Sequence, residues 1–448
     1  MSQINLFKNL VSDKNAENTE SKNSLPEVYR SIPVPKHYSF WRKLSAYGGP
    51  GFMIAVGYMD PGNWATDLAG GSKFGYDLLF VILLSNCFAM LLQHLALKLG
   101  IVTGRDLAQI CREKYSRKTA IFFWLMAEIM IIACDLAEVI GSAIALKLLF
   151  GIPMLIGVII TAGDVLIILL LQNKGFRYIE AVVFTLVSTV TLSFIAELYL
   201  SGPAWIPVLQ GFIPSAKLIL NPQMLYIAVG ILGATVMPHN LYLHSAIVQT
   251  RKYEENEEGK KEAIKFTSID SNLALLLAFF VNAAILIVAA AAFHFNSQNS
   301  VTEIEDAYKL LTPLLGGGAS ILFAIALLAS GQNSTITGTL AGQIIMEGFI
   351  NFRIQPWLRR IITRFTAIVP AIMVIVIYGS KGLTNLLILS QVVLSIQLSF
   401  AVFPLVIFTS DKKIMGSFVN GKKLTILSWA IALLITCLNI WLVISILK

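Results

Sequence analysis

Eleven stretches of about 20 mostly apolar residues run through this chain and leave it almost no way to fold in water. They lie near 46–71, 76–99, 118–147, 152–172, 179–200, 223–249, 270–295, 314–347, 358–379, 382–409 and 424–447. Each is long enough to cross a bilayer as a helix, where the backbone polar groups must be satisfied within the segment. Composition agrees. Of 448 residues, 56% are hydrophobic and 13% charged, with mean hydropathy +0.73, whereas soluble domains carry about 25% charged residues. The fold class read from this is an all-α membrane protein.

The loops orient the helices. With the N-terminus inside, the cytoplasmic loops hold Arg105, Arg112, Lys114, Arg117 and Lys118, then Lys174 and Arg177, then Arg251, Lys252, Lys260, Lys261 and Lys265. Arg353, Arg359 and Arg360 follow, then Lys412, Lys413, Lys422 and Lys423; the opposite loops carry little beyond Lys217, Lys309 and Lys381. This is the positive-inside pattern, and it predicts a multi-pass protein of the cell membrane with a cytoplasmic N-terminus and an extracellular C-terminus. The net charge of +8 therefore reads as topology determinants and contacts to anionic lipid of the bilayer, with no nucleic-acid partner. Residues 1–44 lack an apolar run and are rich in Asn, Ser, Lys and Glu, which predicts a disordered cytoplasmic tail ahead of a transmembrane domain over 45–448. No cleavable signal peptide is visible, and Cys87, Cys111, Cys134 and Cys437 are too scattered for a disulfide framework or zinc spacing.

Two tetrapeptides interrupt the first and sixth spans near their centres: Asp60-Pro61-Gly62-Asn63 and Met237-Pro238-His239-Asn240. Five spans separate them. Five helices and then five more, each set opening on a broken helix, predict a 5+5 inverted repeat over about 46–200 and 223–409, with an extra eleventh helix over 424–447. Such repeats place a substrate site between two unwound helices.

The breaks carry ligand chemistry. Pro238 has no N–H and its ring clashes with the carbonyl of Ala234, while Pro61 does the same to Gly57 and Gly62 loosens the turn. A carbonyl left without a donor in a dry bundle is costly unless a cation binds it. Asp60 adds a carboxylate, Asn63 an amide oxygen and Met237 a thioether. Calcium and magnesium favour all-oxygen sites, whereas later transition metals accept sulfur, so Met237 disfavours the abundant hard ions. The plainer readings are core packing for Met237 and simple kinks for the prolines. Asp60 resists such a reading, because a carboxylate at the bilayer centre is rarely structural alone.

At these motifs the chain resembles the Nramp family, the natural resistance-associated macrophage protein type of divalent-metal transporter, and in particular its bacterial manganese/proton symporter branch. The resemblance rests on Gly57-Tyr58-Met59-Asp60-Pro61-Gly62-Asn63, on Met237-Pro238-His239-Asn240, and on 331–349 (GQNSTITGTLAGQIIMEGF). The stretches 99–113 (LGIVTGRDLAQICRE) and 135–141 (DLAEVIG) belong to it too, and it extends from about residue 45 to the end. It implies a LeuT-like fold with discontinuous helices 1 and 6, and proton-coupled symport into the cytoplasm by alternating access. The expected cargo is chiefly Mn2+, then Fe2+, with Cd2+ or Co2+ as passengers. Neither a prosthetic group nor an obligatory protein partner is implied. Asp60, Asn63, Met237 and the Ala234 carbonyl match the metal-binding positions, with Gln391 as a further ligand in an occluded state. The methionine is absent from magnesium- and aluminium-transporting relatives. His239, His244, Asp135 and Glu138 match positions associated with proton movement.

Asp135 and Glu138 are three apart and so share a helix face. They can pass a proton, or pair with an arginine of another helix, for which Arg359 and Arg360 at the start of the ninth span are the candidates. His239 can serve as a ligand or in the proton route. Asp67, Glu128, Asp164 and Glu197 also lie within spans and can line a path or pair structurally. Three other functions compete. An intramembrane metalloenzyme needs a ligand set such as His-Glu-x-x-His, which the five histidines do not form, so no enzyme is expected. A sodium-coupled amino-acid symporter needs free helix N-termini for a carboxylate, which Asp60 opposes. A channel is separated from a coupled transporter by flux.

Overall fold

Caps and prolines set where the long apolar runs start and stop. The computed structural model describes residues 25–35, 39–161, 163, 175–295, 304–315, 317–378 and 382–447, and these are almost wholly helical. A short helix α1 (Phe40–Tyr47) precedes α2 (Pro50–Gly57) and α3 (Pro61–Phe74), so the first predicted span is divided at Tyr58, Met59 and Asp60. Next come α4 (Leu79–Thr103), α5 (Leu107–Lys114), α6 (Arg117–Phe150), α7 (Met154–Thr161) and α8 (Phe176–Ser201). The sixth span is likewise divided, into α9 (Pro222–Thr235) and α10 (Pro238–Ile247). The chain then continues through α11 (Glu257–Ala289), α12 (Ile304–Leu315), α13 (Gly317–Ile350), α14 (Pro356–Tyr378), α15 (Leu383–Ser410) and α16 (Lys422–Leu447). Asp106 and Gln109 form a reciprocal capping box at α5, Ser116 caps α6, and Gly151 ends α6 at a φ of 68°.

Among the described residues, eight helices are long and apolar enough to cross a membrane. Three predicted spans fall outside that count for separate reasons. The first is cut by its break, the ninth has a shorter apolar run (Ile361–Ile377), and much of the fourth, with Asp164, lies outside the described residues.

Polarity is distributed as a bilayer demands. Leu192, Phe365, Val376 and Ile426 are exposed, whereas Asp60, Asp135, Glu138, His239 and His244 are buried. α13 packs against α6, α8 and α10 at the centre. Alternate loops gather at opposite ends. At the basic end, Arg112 Nη1 donates to the Glu347 carbonyl at 3.0 Å, Lys260 Nζ to the Val102 carbonyl at 2.8 Å, and Lys98 to Asn420. At the other end, Lys217 reaches Asp77 at 3.3 Å and Lys147 pairs with Glu305 at 2.6 Å.

One stretch departs from the expected disordered tail over 1–44. Leu25 is buried, Ile32 and Pro33 pair in parallel with Arg251 and Lys252, and Arg30 pairs with Glu255. The segment docks through backbone pairing, single ion pairs and the apolar side chains of Leu25, Val28 and Ile32, too few to stand out from the polar stretch around them. Residues 1–24 lie outside the described residues.

Candidate metal site

Each break begins a second half-helix with proline at its first position, where the missing N–H is no loss. Asp60 caps α3 from an extended conformation (φ −71°, ψ 166°), and its Oδ1 accepts from the Asn63 N–H at 2.8 Å. Met237 holds the equivalent place before α10, at φ −65° and ψ 118°. The carbonyls loosened at the first break are largely answered by side chains from elsewhere. Asn240 Nδ2 donates to the Ile54 carbonyl at 3.0 Å, Asn282 Nδ2 to that of Tyr58 at 2.8 Å, and Trp64 Nε1 and Ser330 Oγ to that of Met59. The Gly57 and Ala234 carbonyls receive no hydrogen bond from the described residues.

The breaks face each other at one depth. Their halves pack in matching pairs, α2 with α10 and α3 with α9. At the first contact, a Cβ at Gly57 would stand 2.4 Å from Asn240 Nδ2; at the second, one at Gly230 would stand 3.2 Å from Thr66 Cγ2. α15 closes over both. A Cβ at Gly62 would stand 1.7 Å from Gln391 Nε2, and one at Gly233 would stand 2.3 Å from the Gln391 carbonyl oxygen. Gln391 therefore lies against both halves at once, and only glycine lets it approach so closely.

Several ligand-type atoms here lack partners. Asp60 Oδ2, Asn63 Oδ1 and Gln391 Oε1 are buried and make no hydrogen bond in the structure. Met237 and Ala234, at the second break, are fully buried. Buried acceptors without donors are rare in folded proteins and call for an explanation such as an ion. Among the described residues, no three His, Cys, Asp or Glu side chains cluster as a metal centre. A divalent ion held here would meet one carboxylate, neutral oxygens and a sulfur, a donor set that suits passage better than permanent binding.

A polar chain leads away from the breaks. Gln93 Nε2 of α4 donates to the Tyr58 hydroxyl at 2.8 Å, and its Oε1 lies 2.9 Å from His244 Nδ1. Because that oxygen can only accept, His244 Nδ1 carries the proton; its Nε2 is unpartnered, as is His239 Nδ1. Asp135 and Glu138 do share a face. A Cβ at Gly338 would stand 2.9 Å from Glu138 Oε1 and 3.9 Å from Asp135 Oδ1. Thr335 Oγ1 donates to Glu138 Oε2 at 2.9 Å, and buried Arg364 reaches Glu138 Oε2 at 3.4 Å and the Asp135 carbonyl at 3.4 Å.

Residues 51–445 match the family of natural resistance-associated macrophage protein-like chains. The chain belongs to the Nramp family. It is 60% identical over 427 residues to the divalent metal cation transporter MntH of a Nostoc species, covering 95% of this chain and 97% of that one. Its identity to the MntH of Listeria monocytogenes serovar 1/2a is 61% over 420 residues, 94% of each. A crystal structure of the Eremococcus coleocola manganese transporter, bound to an aromatic bis-isothiourea compound, superposes with a TM-score of 0.88 at 44% identity over 93% of this chain and 90% of that one. The inward-facing structure of Mhp1 superposes at 0.56 and 14% identity over 96% and 94% of the two chains. That likeness speaks for the fold alone, the LeuT-like arrangement expected of an Nramp protein.

The sequence reading needs one correction. Arg359 does not reach Asp135 or Glu138; it makes a two-pronged pair with Glu128, at 2.8 and 2.9 Å, which Trp124 Nε1 also supports at 2.9 Å. The deeper arginine, Arg364, meets the deeper acid. The side chain of Arg360 lies outside the described residues. Sequence reasoning also missed Gln93 and Asn282. Each acts through a hydrogen bond to a distant part of the chain, and neither sits in a pattern that periodicity exposes.

Proposed function

We propose that this Nramp protein carries divalent transition-metal ions into the cytoplasm together with protons, by alternating access. Mn2+ is the chief cargo, Fe2+ the second, and Cd2+ or Co2+ are passengers. The observation behind this reading is the meeting of two helix breaks at which Asp60 Oδ2 and Asn63 Oδ1 find no donor among the described residues. Asp60, Asn63, Met237 and the Ala234 carbonyl bind the metal, and Gln391 joins them when the site is closed on both sides. Several close relatives are divalent metal cation transporters, which supports the cargo class.

Protons travel by a separate set. Metal binding at Asp60 must displace any proton there, and His239 and His244 stand on the half-helix that begins at Met237. Asp135 and Glu138 continue the route, with Arg364 held against Glu138. The two halves, about 46–200 and 223–409, rock against each other around the site. With the N-terminus inside and the C-terminus outside, a membrane potential negative inside favours inward movement by about 2.3 kcal/mol per charge per 100 mV, and by twice that for a divalent ion. The test is uptake into proteoliposomes. Mn2+ should enter with concurrent internal acidification and resist competition by Ca2+. Metal flux without proton movement would remove the coupling and the roles given to Asp135 and Glu138.

A further inference from the structure

A cavity of about 280 Å³ opens at the basic end of the molecule, away from the breaks. Its walls are residues 101–105 at the end of α4, the chain continuing α10 at Gln249, Arg251 and Tyr253, and the docked segment at Tyr29 and Arg30. Of its charged lining residues, Arg30, Arg105, Arg251 and Lys260 are basic and Glu255 alone is acidic. The basic groups retain unused donors. Arg251 is 2% exposed; its Nη atoms are held by Glu180 at 2.6 Å, by Thr250 and by the Gly48 carbonyl, yet its Nε has no partner. Lys260 commits one of its three ammonium donors, to the Val102 carbonyl at 2.8 Å. Arg105 pairs with Glu113 between partly exposed side chains, an interaction of about 0–1 kcal/mol that a stronger acceptor displaces. Gln249, equally buried, leaves its Oε1 without a donor.

The unpartnered Nε of buried Arg251, with the spare donors of the partly exposed Lys260 and Arg105 around a small polar space, favours an oxyanion with several acceptor oxygens. The volume lies just under the range of about 300–1,000 Å³ typical of drug-sized ligands, so the occupant is small. On α1, Phe40 and Trp41 are 45% and 75% exposed while Lys43 pairs with Glu262, the pattern of a helix lying in the headgroup layer.

We propose that this cavity binds a phosphate group, carried by an anionic lipid headgroup or by a soluble phosphate compound. Bound there, it joins α4 to the chain continuing α10 and to segment 25–35, and so favours the arrangement seen here over one in which they part. Thermal unfolding of the purified full-length protein tests this in two arms. One compares sodium phosphate with sodium chloride at equal ionic strength in detergent; the other compares phosphatidylcholine nanodiscs with and without phosphatidylglycerol. An upward shift of about 1–3 °C in phosphate identifies the soluble source, and a shift confined to phosphatidylglycerol identifies the lipid. Either shift should vanish in the double variant Arg105→Ala, Lys260→Ala and shrink in Lys260→Gln. Mn2+ uptake by these variants in phosphatidylcholine should match the parent. No shift in either arm, or one that persists in the double variant, overturns the assignment.

Discussion

Asp60 accepts one backbone hydrogen bond through Oδ1 and leaves Oδ2 buried and bare. As the one carboxylate of the proposed site it should dominate affinity. Removing outer-shell partners of a metal typically costs about 10–100-fold, so Asp60→Ala should lower Mn2+ uptake by at least about 100-fold; uptake near the parental rate would remove the site assignment. Met237 acts on selectivity instead. Met237→Ala should weaken Mn2+ uptake and let Ca2+ compete, and unchanged exclusion of Ca2+ would end the sulfur argument. Arg364 belongs to stability. Its guanidinium is 1% exposed against a fully buried Glu138, and breaking such a pair on one side costs about 3–5 kcal/mol. Arg364→Ala should therefore lower the unfolding midpoint markedly, and Arg364→Lys should recover part of it. Asp60 was legible in the sequence because a charge at mid-membrane stands out by itself. Arg364 was not, because which arginine meets which acid depends on how α14 lies along α6.

The two divided helices are where sequence and structure agree most closely, for a local reason: a proline removes a backbone donor wherever it sits. The same logic yields a test. Pro238→Ala restores an N–H that can donate to the Ala234 carbonyl, so the KM for Mn2+ should rise while thermal stability is kept or increased. An unchanged KM would mean that this carbonyl is no ligand. Gly62→Ala presses a Cβ into the whole end of Gln391 and should depress uptake by displacing α15 from the break. Less was readable where elements meet. Gln93 of α4 joins Tyr58 in the first break to His244 of α10, and a lone Gln in an apolar run gives no sign of its partners.

Across the whole molecule, alternating charge in the loops foretold which ends gather together, and the contacts at the two faces follow that alternation. Eight of the eleven expected spans are long apolar helices among the described residues, and they were legible because hydropathy is additive along the chain. The docking of residues 25–35 was not, since it rests on two paired backbone residues, isolated ion pairs and three separate apolar side chains. The central claim is that two breaks, far apart in sequence, form a single cation site. Crystals of the full-length protein soaked in Mn2+ and measured at the manganese edge test it most directly. The account predicts one anomalous peak in contact with the Asp60 carboxylate and, across the break, with Met237 sulfur or the Ala234 carbonyl. A peak held by one break alone, or one placed at Asp135 and Glu138, would contradict it.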